Sequence, residues 1–207
     1  DASYMLSSDI GYIKISRFAA TTYNEYLKAF NELKMEGMQK MILDLRGNPG
    51  GYLNAAVDLC DEFLPRGKKI VYTEGQARKR EDFDATAKGG FEQGGLVVLI
   101  DEGSASASEI VSGAIQDNDR GWVLGRRSFG KGLVQEEVRF DDGSAMRLTI
   151  ARYYTPTGRC IQKTYAGGVE AYYHELSDRY ERGEMITADS MHTKDTLSYR
   201  TPAGRVV

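Results

Sequence analysis

Histidine is nearly missing from this chain. The two present among 207 residues, His174 and His192, sit in the polar last third. Neither has a partner at metal-ligand spacing, so both read as ordinary surface or packing residues. Cysteine is as scarce: Cys60 and Cys160 lie far apart with no CxxC, which leaves no zinc pattern. No metal and no cofactor is expected. Cys60 falls on the apolar side of a predicted helix and reads as a core residue, while its pairing with Cys160 stays open. Long apolar runs are absent too. The longest are about five residues, against roughly 20 needed to span a bilayer, so no membrane insertion is expected. Neither sign of charge dominates: 27 Lys and Arg face 30 Asp and Glu, net −3. That gives no argument for nucleic acid or an anionic membrane as partner. Asp1-Ala2-Ser3-Tyr4 lacks the features of a secretory leader and reads as the middle of a longer sequence, so the chain itself says nothing about location.

What is present is ordinary globular composition, 41% hydrophobic and 28% charged, at a length that can bury a real core. There is no internal repeat and no low-complexity linker, and residues 1–207 are expected to form a single domain.

Residues 10–15 alternate as a strand, and Thr22-Tyr23-Asn24-Glu25 has the spacing of a capping box. Tyr23, Tyr26, Leu27, Phe30 and Leu33 then recur at helical period, ended by Gly37. Met41–Leu45 reads as a buried parallel strand, Arg46–Gly51 as a turn, and Leu53–Leu64 as a helix stopped by Pro65. Ile70-Val71-Tyr72 is the next strand candidate, and Gln76–Gly95 is polar and reads as an exposed hairpin or loop. Leu96–Ile100 is an apolar strand, a helix runs from Glu109 to about Asn118, and Trp122–Leu124 is a short strand. Val134–Phe140 and Met146–Tyr154 flank an Asp-Asp-Gly turn as an antiparallel hairpin, and Glu170–Arg182 is a helix. Strand–helix alternation through residue 125 predicts an α/β fold with a mostly parallel sheet plus an antiparallel hairpin.

Three stretches carry possible chemistry. Ser104, Ser106 and Ser108 open a helix, where free N–H groups and the dipole suit a nucleophile and an oxyanion. Plain helix capping is the bland alternative. Gly125–Gly132 carries Lys131 between two glycines. Its Gly125-xxxx-Gly130-Lys131 spacing is a partial phosphate-loop match, but Gly132 stands where a magnesium-binding hydroxyl belongs and a strand follows instead of a helix, so nucleotide binding fails on context. For a lysine to act as a base it must be neutral, with its usual pKa of about 10.4 lowered by desolvation. Phe129 and the glycines would supply a dry crevice, and Gln135 an orienting hydrogen bond. A solvated loop lysine is the bland alternative. Arg46–Gly51 follows a parallel strand, where α/β proteins bind ligands. It reads equally well as a plain connection.

Taken together, residues 43–51, 103–110, 125–135 and 149–156 resemble the C-terminal processing peptidases, or tail-specific proteases, most closely their bacterial members. The resemblance spans about residues 10 to 165. It implies a crotonase-like (ClpP/crotonase) core and a serine endopeptidase that cleaves proteins near their C-termini. It assigns the nucleophile to Ser106, the base to Lys131 and the orienting group to Gln135. It makes Ala107 and Gly51 the oxyanion donors, with Gly50 and Asp117 in support. It implies a protein or peptide substrate paired beside a strand edge, a possible homo-oligomer of the intact protein, and the periplasm or cell envelope as location. Family members normally carry a PDZ domain before the core and further sequence after it. Neither is expected within these residues. Two rivals on the same fold remain: a non-catalytic ligand-binding or scaffold module, and an acyl-CoA enzyme with no need of Lys131.

Overall fold

The computed structural model describes residues 1–187 and 197–207; His192 lies outside the described residues. In chain order the elements are β1 (Ala2–Met5), β2 (Ile10–Lys14), α1 (Thr22–Met35), β3 (Lys40–Asp44), α2 (Leu53–Asp61), β4 (Lys69–Glu74), β5 (Glu81–Asp84), β6 (Gly95–Ile100), α3 (Ala107–Asp117), β7 (Trp122–Gly125), β8 (Leu133–Arg139), β9 (Ala145–Tyr154) and α4 (Gly168–Glu181). They build a mixed α/β fold of two sheets.

The first sheet has the order β1-β2-β3-β6-β7. Strands β2, β3, β6 and β7 run parallel, and β1 pairs antiparallel with β2. Strand β1 was not expected, because its side chains are largely exposed and give no alternation to read. The apolar runs of β3 and β6 bury Met41, Leu43, Leu96 and Val98 on one face, while Ile42, Val97 and Leu99 on the other stay half-buried.

The second sheet is antiparallel, with the order β5-β4-β9-β8. The expected hairpin is therefore half of a larger sheet. Ile70-Val71-Tyr72 does form a strand, but in this second sheet, where β4 pairs with β9. Hydrophobic pattern reports burial, not which sheet receives the strand.

Helix α1 buries Tyr26, Phe30 and Leu33 on one stripe. The capping box expected at Thr22 does not form. Thr21 is the N-cap, and Thr22 Oγ1 donates to Arg17 O and accepts from Ala19 N–H, closing the preceding turn instead. At the other end Gly37 has φ +103°, with the Gly37 and Met38 N–H groups donating to Lys34 O and Leu33 O. This is the Schellman pattern that favours glycine. Helix α3 is buried along nearly its whole length, between α2, β4 and the ends of β6 and β7. Cys60 is fully buried and Cys160 partly so, and both are free thiols. Burial pushes the Cys60 thiol pKa well up, as for an inert core residue.

Candidate active site

Three neighbouring parallel strands, β3, β6 and β7, end side by side, and each feeds one loop of the site. The loop after β3 carries Gly50 and Gly51, the loop after β6 carries Ser106, and the loop after β7 carries Lys131. Carboxyl ends of parallel strands are where α/β sheets present ligand-binding loops. The Ser106 turn is flanked by the other two because β6 lies between β3 and β7.

Side-chain bonding separates the three serines. Ser104 Oγ donates to Leu45 O at 2.8 Å and Ser108 Oγ to Asn48 O at 3.0 Å, and both residues are fully buried. Those hydroxyls stitch the first two loops together. Ser106 alone keeps partial exposure, and its Oγ donates to no carbonyl among the described residues. Its backbone is held at φ +56° and ψ −112°, a conformation that costs a non-glycine residue of order 1–3 kcal/mol. Strain of this kind, on a partly exposed serine at a strand-to-helix turn, is a feature of nucleophile elbows. Ser106 also caps α3, facing Glu109 in a capping box. The capping and nucleophile readings thus describe the same residue.

Two N–H groups on the serine turn and the loop that meets it are open. Ala107 is the first residue of α3, and its N–H finds no acceptor among the described residues. Gly51 forms a parallel bridge with Phe18, but the bonds run through Gly50 O and Tyr52 N–H, and the Gly51 N–H has no acceptor among the described residues. Gly50 joins the two. With φ +94°, a Cβ placed on it would lie 2.6 Å from Ser106 Cβ and 2.8 Å from Ala107 N. A Cβ on Gly51 would overlap Phe18 O. Gly50 lets the first loop press against the Ser106 turn, and Gly51 lets it pack against the Phe18 backbone. Asn48 holds that loop in place: its Oδ1 accepts from Gly50 N–H, its Nδ2 donates to Ile15 O, and its O accepts from Ala105 N–H. The loop starts from Asp44, whose carboxylate takes Tyr12 Oη, the Arg46 N–H and the Arg46 guanidinium. Desolvation works to raise the Asp44 pKa, but the Arg46 and Tyr12 hydrogen bonds outweigh it and hold the carboxyl at about 2.

Glu109 is the residue that sequence reasoning missed. Its Oε1 accepts from Ser128 Oγ and Gly130 N–H, both at 2.7 Å, and its Oε2 from Ser106 N–H at 2.8 Å and Lys131 N–H at 2.9 Å. Burial pushes this carboxyl above its ordinary pKa, against the four donors that favour the carboxylate. The Ser-x-x-Glu spacing from Ser106 was the available signal. That spacing accounts for the contact to Ser106 but not for the three to the third loop.

The side chains of Lys131 and Gln135 are exposed. No hydrogen bond joins Lys131 to Ser106 or to Gln135 among the described residues; Gln135 Nε2 instead donates to Thr149 Oγ1 at 3.3 Å. The dry crevice expected beside Phe129 is occupied by another cation: Lys163 Nζ lies 4.3 Å from the Phe129 and Tyr172 ring centres. Asp117 ends α3, some ten residues from Ser106. It accepts from Thr157 N–H, Thr157 Oγ1 and Arg159, which fastens the turn after β9. Two surface concavities, bounded by Leu64, Pro65 and Arg120 and by Leu96, Trp122 and Arg205, also lie at that far end of α3.

Comparison with known proteins gives the family. The model of peptidase family S41 matches residues 9–173. A carboxyl-terminal-processing protease of Synechocystis is 42% identical over 154 residues, covering 74% of this chain and 36% of that protein. The carboxy-terminal processing protease CtpA of Bacillus subtilis is 37% identical over 161 residues, covering 78% of this chain and 34% of that protein. The solved photosystem II D1 C-terminal processing protease superposes with a TM-score of 0.69 at 37% identity, covering 74% of this chain and 39% of that one. The chain spans between a third and two-fifths of the length of these relatives. It belongs to peptidase family S41.

Proposed function

We propose that the chain is the core of a serine endopeptidase that cleaves proteins near their C-termini through a Ser106–Lys131 dyad and an acyl-enzyme. The observation that carries this reading is Ser106 itself: partly exposed, held at φ +56°, on a turn that meets the Gly50 loop, where the Ala107 and Gly51 N–H groups have no acceptor among the described residues.

In the proposed mechanism, neutral Lys131 takes the Ser106 hydroxyl proton as Oγ bonds to the scissile carbonyl carbon. The Ala107 and Gly51 N–H groups stabilise the oxyanion. The lysine ammonium then gives its proton to the leaving amine as the C–N bond breaks. Water attacks the ester, Lys131 accepts its proton and returns it to Ser106 Oγ. Gln135 orients the lysine amine, and Gly50 lets the oxyanion loop approach. A Ser–Lys pair is a recognised variant of triad chemistry. The exposed Lys131 side chain is on a flexible four-carbon stem, and catalytic hydrogen bonds commonly tighten only when substrate is bound.

The fold in this proposal is crotonase-like, and the substrate peptide pairs beside a strand edge near the site. Two of the relatives named above are bacterial processing proteases. With them in view, the proposed location is the periplasm or cell envelope, and the intact protein is proposed to include a PDZ domain and to form a homo-oligomer. No helix among the described residues is long and apolar enough to cross a membrane.

One observation favours the non-catalytic reading, namely that Lys131 and Ser106 make no hydrogen bond. A scaffold, however, has no use for a strained serine beside two open N–H groups. The test is proteolysis of unstructured proteins with varied C-termini, read by mass spectrometry. The proposal expects fragments shortened at the C-terminus and none with Ser106→Ala. Intact substrates throughout would favour the scaffold.

A further inference from the structure

Helix α4 buries two side chains, Tyr172 and Arg179. Neither belongs to the main apolar core, and both meet the loop that carries Lys131. Arg179 is almost wholly buried (1% exposed) and donates through its guanidinium to the carbonyl oxygens of Arg127 and Ser128. The ring of Tyr172 packs edge-on to Phe129 at 6.1 Å. Glu175, on the same stripe at i, i+3 and i+7 spacing, accepts from Arg127 and Lys163. Just past the helix, Glu184 binds both Arg127 and Arg179. The loop is thus gripped twice. Buried Glu109 takes the N–H groups of Gly130 and Lys131, and buried Arg179 takes the carbonyls two to three residues earlier. An anion on the donors and a cation on the acceptors fix the peptide planes that aim residue 131.

The geometry points to α4 as a positioning helix for the base, acting through Arg179. This rests on the reading of Lys131 as that base. Arg179 and Glu184 lie beyond residues 9–173, the part matched by the family model. The polar groups that dock α4 are the same ones that order the loop, so docking of the helix and ordering of the loop are one event. Releasing α4 would then unlatch Lys131 while leaving the sheets and α1–α3 packed. Arg179 is a positioning residue, since it touches no reacting atom.

The test compares Arg179→Met and Arg179→Lys with the parent chain, and uses Tyr180→Ala, an exposed position on the same helix, as control. Two quantities are read: amide hydrogen exchange and the rate of labelling by a fluorophosphonate. Losing bonds to a charged group predicts that the Gly130 and Lys131 amides exchange at least about tenfold faster in Arg179→Met. The Val98 amide, in the centre of β6, should keep its rate. Labelling should slow by at least about tenfold with partial recovery in Arg179→Lys, and Tyr180→Ala should match the parent. Unchanged exchange at Gly130 and Lys131 would overturn the proposal, and so would an equal rise at Val98, which marks general loosening. Should Arg179→Met not fold, Arg179→Lys carries the same comparison. Faster loop exchange with unchanged labelling would keep the latch and reject Lys131 as the base.

Discussion

Ser106 and Lys131 share one acceptor: both backbone N–H groups donate to Oε2 of Glu109, at 2.8 and 2.9 Å. The proposed nucleophile and base are thereby registered through main-chain bonds to one buried carboxylate, before their side chains meet. Glu109→Gln replaces one of two acceptor oxygens with a donor that faces N–H groups. Stability should fall by about 2–4 kcal/mol in denaturant unfolding, and labelling of Ser106 by about 10²-fold. A Gln variant that labels like the parent would show that the shared acceptor does not matter to the site.

Gly50→Ala forces a methyl group against Ser106 Cβ and Ala107 N at a positive φ. The Gly50 loop must retreat. Peptide hydrolysis should fall by about 10²-fold with KM little changed, as for loss of an oxyanion donor, and steady-state kinetics would read that split. A proportional loss confined to KM would instead assign the loop to substrate binding.

Acid should loosen the same loop. The Asp44 carboxyl is held at about 2 in the folded chain, below its ordinary value near 4. Its contribution, about 2 kcal/mol, is therefore present above pH 4 and lost as pH falls toward 2. Thermal melts across that window should show a slope that Asp44→Asn flattens.

Asp117 should matter to stability and not to chemistry. Its partners are Thr157 and Arg159, at the end of α3 away from Ser106. Asp117→Ala should cost about 1–3 kcal/mol in unfolding and leave kcat within about twofold of the parent at temperatures where the variant is folded.

Much of this was legible in the sequence. Apolar runs and the Gly37 stop gave β3, β6, α1 and the start of α2, because burial and backbone chemistry are local properties. Helix α2 ends at Asp61, short of the expected stop at Pro65. Strand β1 was not legible, since exposed residues carry no pattern, and neither was the transfer of β4 to the second sheet, which is decided by contacts with β9. At the site, the serine turn and the double glycine announced themselves by composition. The choice of Ser106 from its own surroundings needed the structure, because only the fold shows Ser104 and Ser108 bonded to Leu45 and Asn48. Glu109 and Arg179 stayed hidden for a related reason. Each grips a loop about twenty or fifty residues away, and no spacing rule reaches that far.

The central claim is that Ser106 is a nucleophile activated by Lys131. Its most direct test is fluorophosphonate labelling followed by mass spectrometry of the modified peptide. The account predicts one adduct, on Ser106, absent in Ser106→Ala and slowed by at least about 10²-fold in Lys131→Ala. An adduct that survives Ser106→Ala, or a rate indifferent to Lys131→Ala, would contradict it.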